Sequence, residues 1–503
     1  MRSGQSSKWS SLIYPTLFCA QLVCSVFAES HQPDYSISTI EMGDVKDQVV
    51  LSAFLNSPKN ASLVIATVDN QNVRKISIFE MENGIYPQQA NVEHVLEDDV
   101  ILMDVGHFGN REVLVMFGRN EAWIYNPLTK KRQKLVDIST IYGSPMIGAL
   151  PKMDLFRDLN DDGLDDFIIP GFDGFQIFIQ RGDGSFDGPM DVHAPPLVEM
   201  SYNDYPLYQP KNTFLADMTL NGKQDLTFWV NGKFSVYRQG VDGLFDPRPL
   251  RITSQVDFQF DGIEGLSSAV QEEDQSDNIA KAIYQITDLD GDDVPDLVTY
   301  SMKSEGVFKK TTTYEIHKGL PRKGMVQFSA TSDSTIESAG IQFEMVERDF
   351  NNDGQTDMVI STVELGIGKI LAALITGSIK TDLNFYQMIG GRYPKKPILK
   401  REITATFSLS SGDVFFPSVL IADVDGDRID DLLVQEGFDK LKIFMGRKDG
   451  KLFSKRAINI EVAMPNEPDL VELADLNADG RRDLVMRHQA VGKPRKVVVM
   501  VSR

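Results

Sequence analysis

The sequence predicts an all-β fold, a single β-propeller built from four-stranded antiparallel blades. Three observations lead to this prediction: a short acidic string recurs along the chain, an apolar run follows each copy, and the copies are regularly spaced. The copies start at residues 104, 158, 217, 288, 349, 423 and 475, so the spacing ranges from 52 to 74 residues. Repeats of this size that are made of hairpins are typical of propellers.

The first 28 residues predict a secretory signal peptide. Arg2 and Lys8 precede a short apolar run, and small residues stand at the −3 and −1 positions of a cleavage site after Ala28. A membrane anchor is the alternative interpretation. The apolar run is short for a span, however, and a proline and a glutamine interrupt it.

The mature chain, residues 29–503, is expected to be a single propeller outside the cell or in the periplasm. Cleavage removes Arg2 and Lys8 and no acidic residue, which takes the net charge from -21 to -23. It also removes Cys19 and Cys24, the only two cysteines. Packing and bound ions, rather than disulfides, must therefore hold the mature protein together.

Within each repeat, the apolar run after the acidic string is rich in β-branched and aromatic residues, which favours strands. In one copy this run is residues 167–169, and a glycine-containing turn and a second strand, residues 176–180, follow it. The same rhythm without an acidic string places an eighth start near Phe54. The 25 mature residues before Phe54 and the 28 residues after 475 nearly complete one more repeat. Eight blades, with the two termini sharing one of them, therefore fit better than seven.

Five acidic strings carry an oxygen-bearing side chain at positions 1, 3, 5 and 9, the pattern expected of a cage for a hard cation. The predicted metal ligands are Asp158, Asn160, Asp162 and Asp166; Asp288, Asp290, Asp292 and Asp296; Asp349, Asn351, Asp353 and Asp357; Asp423, Asp425, Asp427 and Asp431; and Asp475, Asn477, Asp479 and Asp483. The sets at Asp288 and Asp423 have four carboxylates each and should bind most tightly. The string at Asp217 has no carboxylate or amide at position 3, and the one at Asp104 has few oxygens, so neither is counted.

Calcium is the cation that these strings predict, at about five sites. An EF-hand is excluded because it needs a glutamate at position 12, where these strings carry an apolar residue or Thr299. Mg²⁺ is less suitable, since it gives up its water reluctantly to an all-protein cage. A tight hydrophilic turn would explain one such string, but not five with the same positions filled.

These strings, followed by a strand and a Gly-Asp-Gly-x-Phe-like turn such as residues 182–186, resemble FG-GAP/VCBS repeats of the integrin α-subunit type. The resemblance extends over nearly the whole mature chain. It implies a calcium-binding propeller with a role in extracellular recognition or adhesion. The sequence departs from the repeat pattern at Asp293 and Arg428, where glycine is usual.

Three long insertions, residues 195–213, 251–281 and 380–413, are expected between blades, on the face opposite the acidic loops. Long loops on a rigid scaffold commonly carry function, and tyrosines suit sugar or protein surfaces. Solvated loops that pack over the mouth of the propeller are the alternative. The predicted ligand-binding residues are Tyr202, Tyr205, Tyr208, Tyr386, Arg392 and Tyr393.

The charge and motifs limit the function. A net charge of -21 argues against nucleic acid or an anionic membrane as the main partner. The sequence has no His-Glu-x-x-His and no Gly-x-Ser-x-Gly motif, and no catalytic residue is predicted. We therefore expect a module that recognises an extracellular protein or carbohydrate, more readily than an enzyme. A polysaccharide lyase or glycoside hydrolase is the alternative, because catalytic carboxylates cannot be distinguished here from calcium ligands.

Overall fold

The computed structural model describes residues 34–109, 111–143, 150–200, 206–263, 276–305, 310–363, 368, 375–407, 414–490 and 493–503. The predicted signal peptide, residues 1–28, lies outside these residues. None of the helices that they contain has the length and apolar character needed to cross a membrane.

The strands form a ring of eight antiparallel blades, as predicted, each with four main strands. Blades 1 to 4 consist of β2 (Val45–Ala53), β3 (Ser62–Asp69), β4 (Arg74–Glu80) and β5 (Val92–Val95); β6 (Leu102–Phe108), β7 (Arg111–Phe117), β8 (Glu121–Asn126) and β9 (Lys131–Asp137); β10 (Phe156–Arg157), β11 (Asp166–Gly171), β12 (Gly174–Gln180) and β13 (Phe186–His193); and β16 (Phe214–Ala216), β17 (Asp225–Val230), β18 (Lys233–Tyr237) and β19 (Leu250–Thr253).

Blades 5 to 8 follow the same order, from the first strand at the inside to the fourth at the outside. They consist of β20 (Ser276–Thr287), β21 (Asp296–Glu305), β22 (Lys310–His317) and β25 (Ser334–Ala339); β26 (Ile341–Arg348), β27 (Asp357–Val363), β28 (Ser378–Tyr386) and β29 (Leu399–Phe407), with a short fifth strand β30 (Val414–Phe415); β31 (Val419–Ala422), β32 (Asp431–Glu436), β33 (Lys440–Phe444) and β34 (Ile458–Glu461); and β35 (Val471–Ala474), β36 (Asp483–His488), β37 (Arg495–Ser502) and β1 (Tyr35–Gly43).

Among the described residues, two small hairpins and a short 3₁₀ helix also lie between these strands. The hairpins are β14 (Leu197–Met200) with β15 (Pro206–Gln209), between blades 3 and 4, and β23 (Gly319–Arg322) with β24 (Met325–Phe328), within blade 5. A 3₁₀ helix, Pro468–Leu470, precedes β35.

The middle strands of the blades are apolar on both faces because each face packs against a neighbouring blade. Strand β11 is buried along its whole length, and β3 is buried except at Asp69. The outer strands β5 and β34 alternate between half-buried and exposed residues, since only one of their faces packs on the core. This is why continuous apolar runs, rather than alternation, follow the acidic strings.

The ring closes through a blade shared by the two termini. Strand β1, from the N-terminal end, pairs antiparallel with β37, from Tyr35 opposite Ser502 to Gly43 opposite Arg495. It supplies the fourth strand of blade 8, next to three strands from the C-terminal end. The prediction of eight blades with a split repeat is therefore confirmed, and the segment near Phe54 is the turn between the first two strands of blade 1.

The acidic string that starts at Asp104, which was not counted among the predicted metal sites, has a different conformation from the later strings. Residues 104–108 belong to β6, which pairs with β7 up to the contact of Phe108 with Arg111. This string therefore forms a tight hairpin instead of a coiled loop. Without oxygen ligands there is no gain from coiling the chain, and the ladder continues to the turn.

The predicted location of the third insertion, between two blades, is wrong. Residues 380–413 are not a connection between blades, because they contain most of β28, the turn after it, and β29. Residues 387–398 therefore lie on the same face as the acidic loops. The backbone N–H of Gly391 donates to Gln355 Oε1 of the acidic loop, at 2.9 Å. The first insertion does join blades 3 and 4, and the second spans residues 254–275, of which 264–275 lie outside the described residues.

Ring closure can be tested on β1 with two isoleucines. Ile40 is 0% exposed and packs between blades 8 and 1, whereas Ile37, on the same strand, is 43% exposed. We expect Ile40→Ala to lower the free energy of unfolding by about 2–5 kcal/mol, because it leaves a cavity. Ile37→Ala should cost less than about 1 kcal/mol. Urea denaturation measures both, and equal losses would contradict the role of β1 in closing the ring.

Candidate metal centres

The connections between the first and second strands of blades 3 to 8, here called the 1–2 loops, adopt one coiled conformation. In the loop of blade 3, Asp158 at position 1 accepts N–H bonds from Asp162 at 3.2 Å and from Gly163 at 2.8 Å. Positions 4 and 6 have positive φ in all six loops: Asp161 and Gly163, Leu220 and Gly222, Gly291 and Asp293, Asn352 and Gly354, Gly426 and Arg428, and Ala478 and Gly480. Each loop has a glycine at one of these positions, so Asp293 and Arg428 are compensated by glycine at position 4.

The aspartate at position 9 of each loop is buried and fixes the loop to its own blade. In blade 3, Asp166 accepts the N–H of Leu159 at 3.0 Å and that of Gln180, at the end of the third strand, at 2.9 Å. In the other five blades, the position-9 carboxylate likewise accepts a backbone N–H from a residue at, or just after, the end of the third strand. The pairs are Asp225 with Gln239, Asp296 with Gly319, Asp357 with Met388, Asp431 with Gly446, and Asp483 with Ser502. One carboxylate therefore joins the 1–2 loop to the turn that follows the third strand.

Burial opposes the ionisation of these position-9 carboxyl groups. It raises the pKa of Asp166, Asp296 and Asp431 to about 7, and that of Asp357 to about 6. Neighbouring carboxylates act in the same direction, while the backbone donors act against it. A divalent cation placed among these groups would favour their ionised forms.

Two loops bring three carboxylates close enough together to hold one ion. Oxygen atoms of Asp288, Asp290 and Asp296 lie within 4.8 Å of one another, and so do oxygen atoms of Asp423, Asp425 and Asp431. These are positions 1, 3 and 9 of the two strings with four carboxylates. The position-5 side chains, Asp292 and Asp427, instead accept backbone N–H bonds within their loops. The two aspartate clusters could each hold a metal ion.

The two clusters differ in their surroundings. The ammonium of Lys318 contacts Asp290 Oδ2, and the side chain of Asp290 is 9% exposed. The other oxygen, Asp290 Oδ1, is buried without a hydrogen-bond partner, so the cluster retains an acceptor that a cation could use. Around Asp425 the charged neighbours are the carboxylates Asp423 and Asp427. The Asp423 cluster is therefore open, whereas a basic side chain of the protein already contacts the Asp288 cluster.

In the three loops that have asparagine at position 3, the amide contacts the position-5 aspartate. The donor Nδ2 of Asn160, Asn351 and Asn477 lies 3.2, 2.9 and 2.8 Å from the carboxylates of Asp162, Asp353 and Asp479. Each Oδ1 also accepts a backbone N–H of its loop. Arg481 gives Asp479 a further partner, with Nε 3.0 Å from Oδ2. These loops carry the predicted oxygen atoms, but amide and guanidinium donors partly satisfy them.

The structure does not bring the predicted ligand-binding residues together on one surface. Tyr202 and Tyr205 lie outside the described residues. Tyr386 and Tyr393 are 5% and 6% exposed and belong to the core beside β22, so they are not surface contacts. Arg392 is exposed, but on the face of the acidic loops, and Tyr208 is half-buried on the opposite face. The expectation of one tyrosine-rich face is therefore wrong for Tyr386, Arg392 and Tyr393.

The sequence analysis did not identify Lys318, which contacts a predicted metal ligand. Lys318 follows the third strand of blade 5 directly, where blades 3 and 7 have the apolar residues Ile179 and Met445. Blades 4 and 6 have Arg238 and Gln387 at this position, so the sequence carried no signal that a charge here would reach a metal ligand.

Comparison with known proteins supports the repeat locally. The FG-GAP-like repeat family matches residues 423–486, which contain the 1–2 loops of blades 7 and 8. No curated protein sequence matches the chain. One similar solved structure is described as the specific recognition of non-reducing terminal N-acetylglucosamine by an Agrocybe aegerita lectin. It is 14% identical, the match covers 92% of this chain and 98% of that chain, and the TM-score is 0.39.

Asp104 allows the cost of a buried carboxylate to be measured in a blade without a coiled loop. It is 7% exposed, it accepts the N–H of Leu155 at 2.7 Å, and burial raises its pKa to about 6. An unfolded aspartate has a pKa of about 3.9. Because the folded pKa is the higher one, the contribution of this group to stability is greatest below pH 4 and is lost as the pH rises to about 6.

We expect Asp104→Asn to remove this part of the pH dependence, which amounts to about 3 kcal/mol between pH 4 and pH 7. Urea denaturation across that range in the presence of a chelator measures it. The exposed Asp98→Asn should keep the slope of the original protein. The same slope in Asp104→Asn and in the original protein would contradict the assigned burial cost.

Proposed function

We propose that the protein is a secreted, calcium-stabilised recognition module of the FG-GAP/VCBS type, with an eight-bladed ring that presents a binding surface to an extracellular protein. Three steps support this proposal: the carboxylate clusters favour calcium, the chain is suited to an oxidising exterior without disulfides, and an apolar surface stands on the face away from the acidic loops.

Calcium is the proposed occupant of the 1–2 loops. The Asp423 cluster offers three carboxylates from one short loop, and backbone N–H donors fix all three of its members, Asp423, Asp425 and Asp431. A flexible all-protein set of oxygen ligands suits Ca²⁺ better than Mg²⁺. The proposed set also includes the loops at Asp158, Asp288, Asp349 and Asp475, which share the same coil. In the three loops with asparagine, Oδ1 would act as the third ligand.

Secretion is proposed from the N-terminal segment and from the composition of the rest of the chain. Residues 29–503 contain no cysteine, so an oxidising compartment would form no disulfide within them.

Extracellular calcium sites commonly have dissociation constants of about 0.1–1 mM. Tenfold saturation of one such site adds about 1.4 kcal/mol to stability. Several sites would contribute on the scale of the stability of a whole domain, about 5–15 kcal/mol.

The observation that carries the recognition function is an exposed apolar hairpin with its neighbouring turn, called here the hairpin patch: Phe172, Leu197, Val198, Met200, Leu207 and Tyr208. Both faces of the hairpin are apolar, because Val198, Met200 and Tyr208 lie on one face and Leu197 and Leu207 on the other. All but Tyr208 are between 47% and 65% exposed. Apolar side chains exposed on a projecting hairpin are typical of interaction sites.

On one face, the hairpin patch contacts blade 3 through an aromatic pair. The Tyr208 ring meets Phe172, in the turn between β11 and β12, edge to face with centroids 5.2 Å apart. Val198 pairs with Tyr208 on one face of the hairpin, and Glu199 pairs with Leu207 on the other. An isolated two-stranded hairpin is marginally stable in water, so a contact with another surface would stabilise it.

A protein partner fits the hairpin patch better than a glycan. Four of its six side chains are aliphatic, and its neighbouring polar groups satisfy each other, with Gln209 Nε2 donating to Glu199 Oε2 at 3.2 Å. A sugar would need free hydrogen-bonding groups for its hydroxyls, whereas an apolar protein surface would not.

The calcium proposal predicts metal uptake that depends on Asp425. We expect the original protein to bind Ca²⁺ in titration calorimetry and to melt at a higher temperature in calcium than in chelator. Asp425→Asn should lose about 1.4 kcal/mol of the calcium-dependent stabilisation at tenfold saturation. Asp439→Asn, an exposed change on the other end of the same blade, should lose none.

Lys318→Met should strengthen calcium binding at the Asp288 cluster, because it removes a competing cation from Asp290. No calcium uptake by the original protein, or equal melting temperatures in calcium and chelator, would contradict the calcium proposal.

The recognition proposal predicts that polar changes in the hairpin patch abolish retention on the native extracellular surface. We expect Met200→Asp and Leu207→Asp to weaken retention at least tenfold. Val241→Asp, at a residue that is 99% exposed in blade 4 but lies on the opposite face, should retain the original binding.

Two treatments of the surface separate the possible partners. Protease treatment should remove the binding if the partner is a protein, and loss with glycosidase alone would indicate a glycan instead. Release of new reducing or unsaturated sugar ends during incubation with polysaccharides would contradict a module that only binds. Equal binding by all three variants would place the recognition surface elsewhere.

A further inference from the structure

A cavity of about 650 Å³ lies where the inner strands of blades 3, 4 and 5 meet. Residues 153–155 and Arg157 line it from blade 3, residues 210–215 from blade 4 and residues 284–287 from blade 5. This size is typical of sites for small molecules. None of the predicted metal ligands lines it, so it is separate from the acidic loops, and it does not include the hairpin patch.

Arg157 gives this cavity its chemical character because its charge is uncompensated. Its Nε is buried without a hydrogen-bond partner. The same is true of Nε in Arg132, Arg401 and Arg487, but each of these binds a partner through its terminal nitrogens. Those partners are Asp99, the carbonyl of Ser454 and the carbonyl of Asp469. For Arg157 no hydrogen bond or ion pair is found with any other described residue, and Asp154 influences it only at longer range.

Arg157 is half-buried, with its Nε shielded from solvent, and a charge in this position is costly for the folded protein when it has no partner. Burial lowers the pKa of Arg157, while the charge of Asp154 acts in the opposite direction. Buried charges are normally paired, and an unpaired one lowers stability. The protein carries a net charge of -21, yet among the described residues no carboxylate forms an ion pair with this arginine, and Asp154 acts on it only at longer range. The feature is therefore better explained by a ligand than by stability.

The rest of the cavity narrows the class of ligand. Lys211 is a second cation in the wall, but it is 3.5 Å from Asp261, and Asp154 adds a negative charge. Of the two cations in the wall, Arg157 is the one without an ion pair, which suits a singly charged anion. Ile168, Pro170, Phe175 and Leu215 provide apolar contacts for the remainder of a ligand.

We propose that this cavity binds a small organic carboxylate, with the terminal nitrogens of Arg157 donating to the two carboxylate oxygens. The planar fork of a guanidinium matches a carboxylate in geometry and charge. The site does not depend on the proposed recognition function, because it would exist whether or not the hairpin patch binds a protein.

The test uses the full mature protein and two carboxylate probes, benzoate and D-glucuronate. Benzamide and D-glucose are their uncharged counterparts, and inorganic phosphate is the more highly charged anion. In titration calorimetry we expect at least one carboxylate to bind at least tenfold more tightly than its uncharged counterpart and than phosphate. If neither carboxylate exceeds its counterpart, or if phosphate binds equally well, the proposal is overturned.

Variants of Arg157 locate the site. Arg157→Met should weaken carboxylate binding at least tenfold without lowering the melting temperature, because it removes a buried charge that lacks a partner. Arg157→Lys keeps the charge but loses the fork, and should also weaken binding. Arg238→Met makes the same change of charge at an exposed site outside the cavity and should bind as the original protein does. Unchanged binding by Arg157→Lys and Arg157→Met would overturn the assignment.

Discussion

The buried carboxylate at the start of the second strand is the contact on which blades 3 to 8 depend. This carboxylate is buried, and it accepts hydrogen bonds from backbone N–H groups in two separate parts of the same blade. The loop after the first strand and the turn after the third are thereby fixed to the second strand. Blade 4 separates this role from metal binding. Its loop has Thr219 at position 3, yet Asp225 still accepts the N–H of Thr219 at 2.9 Å and that of Gln239 at 3.0 Å. Position 9 is thus structural even where the ion ligands are incomplete.

The face that carries the acidic loops also joins neighbouring blades. Gln180, at the end of the third strand of blade 3, donates to the carbonyl of His107 in blade 2 at 3.0 Å. Gln239, at the same position in blade 4, donates to the carbonyl of Asn160 in blade 3 at 2.7 Å. The 1–2 loop of blade 3 is therefore fixed both by its own blade and by the next one. A cation bound in such a loop would stabilise the ring as well as the turn.

The sequence was sufficient to predict the ring but not the position of every insertion. Eight blades could be predicted because the acidic strings mark the repeats, and because the residues left over at both ends together make one more repeat. The segment 380–413 was misplaced because the distance between two strings does not reveal which connection absorbs extra residues. Strand β29 begins with the three consecutive charged residues Lys400, Arg401 and Glu402 after Leu399, so it resembles a surface loop when its partner β28 is not considered. The burial of Tyr393 follows from this pairing and from its packing beside β22, neither of which has a local signal.

The surroundings of the candidate sites are likewise tertiary properties. The strings at Asp288 and Asp423 have the same number of carboxylates, and sequence reasoning ranked them equally. In the fold, Lys318 contacts Asp290 from the turn after the third strand of blade 5. Gly391 of blade 6 packs against this pair, and no larger residue would fit at position 391, since its Cβ would lie 2.5 Å from both Asp290 Oδ2 and Lys318 Nζ. The Asp423 cluster has carboxylates and backbone donors around it instead. The surroundings of Arg157 are also a tertiary property, here of a positive charge. In the sequence, an arginine next to Phe156 in an inner strand is not unusual. Its missing partner becomes evident only when three blades enclose it. The number of charged residues in a string therefore does not identify the candidate binding sites of this ring. A charged group without an ion pair inside the protein distinguishes such a site from a structural contact.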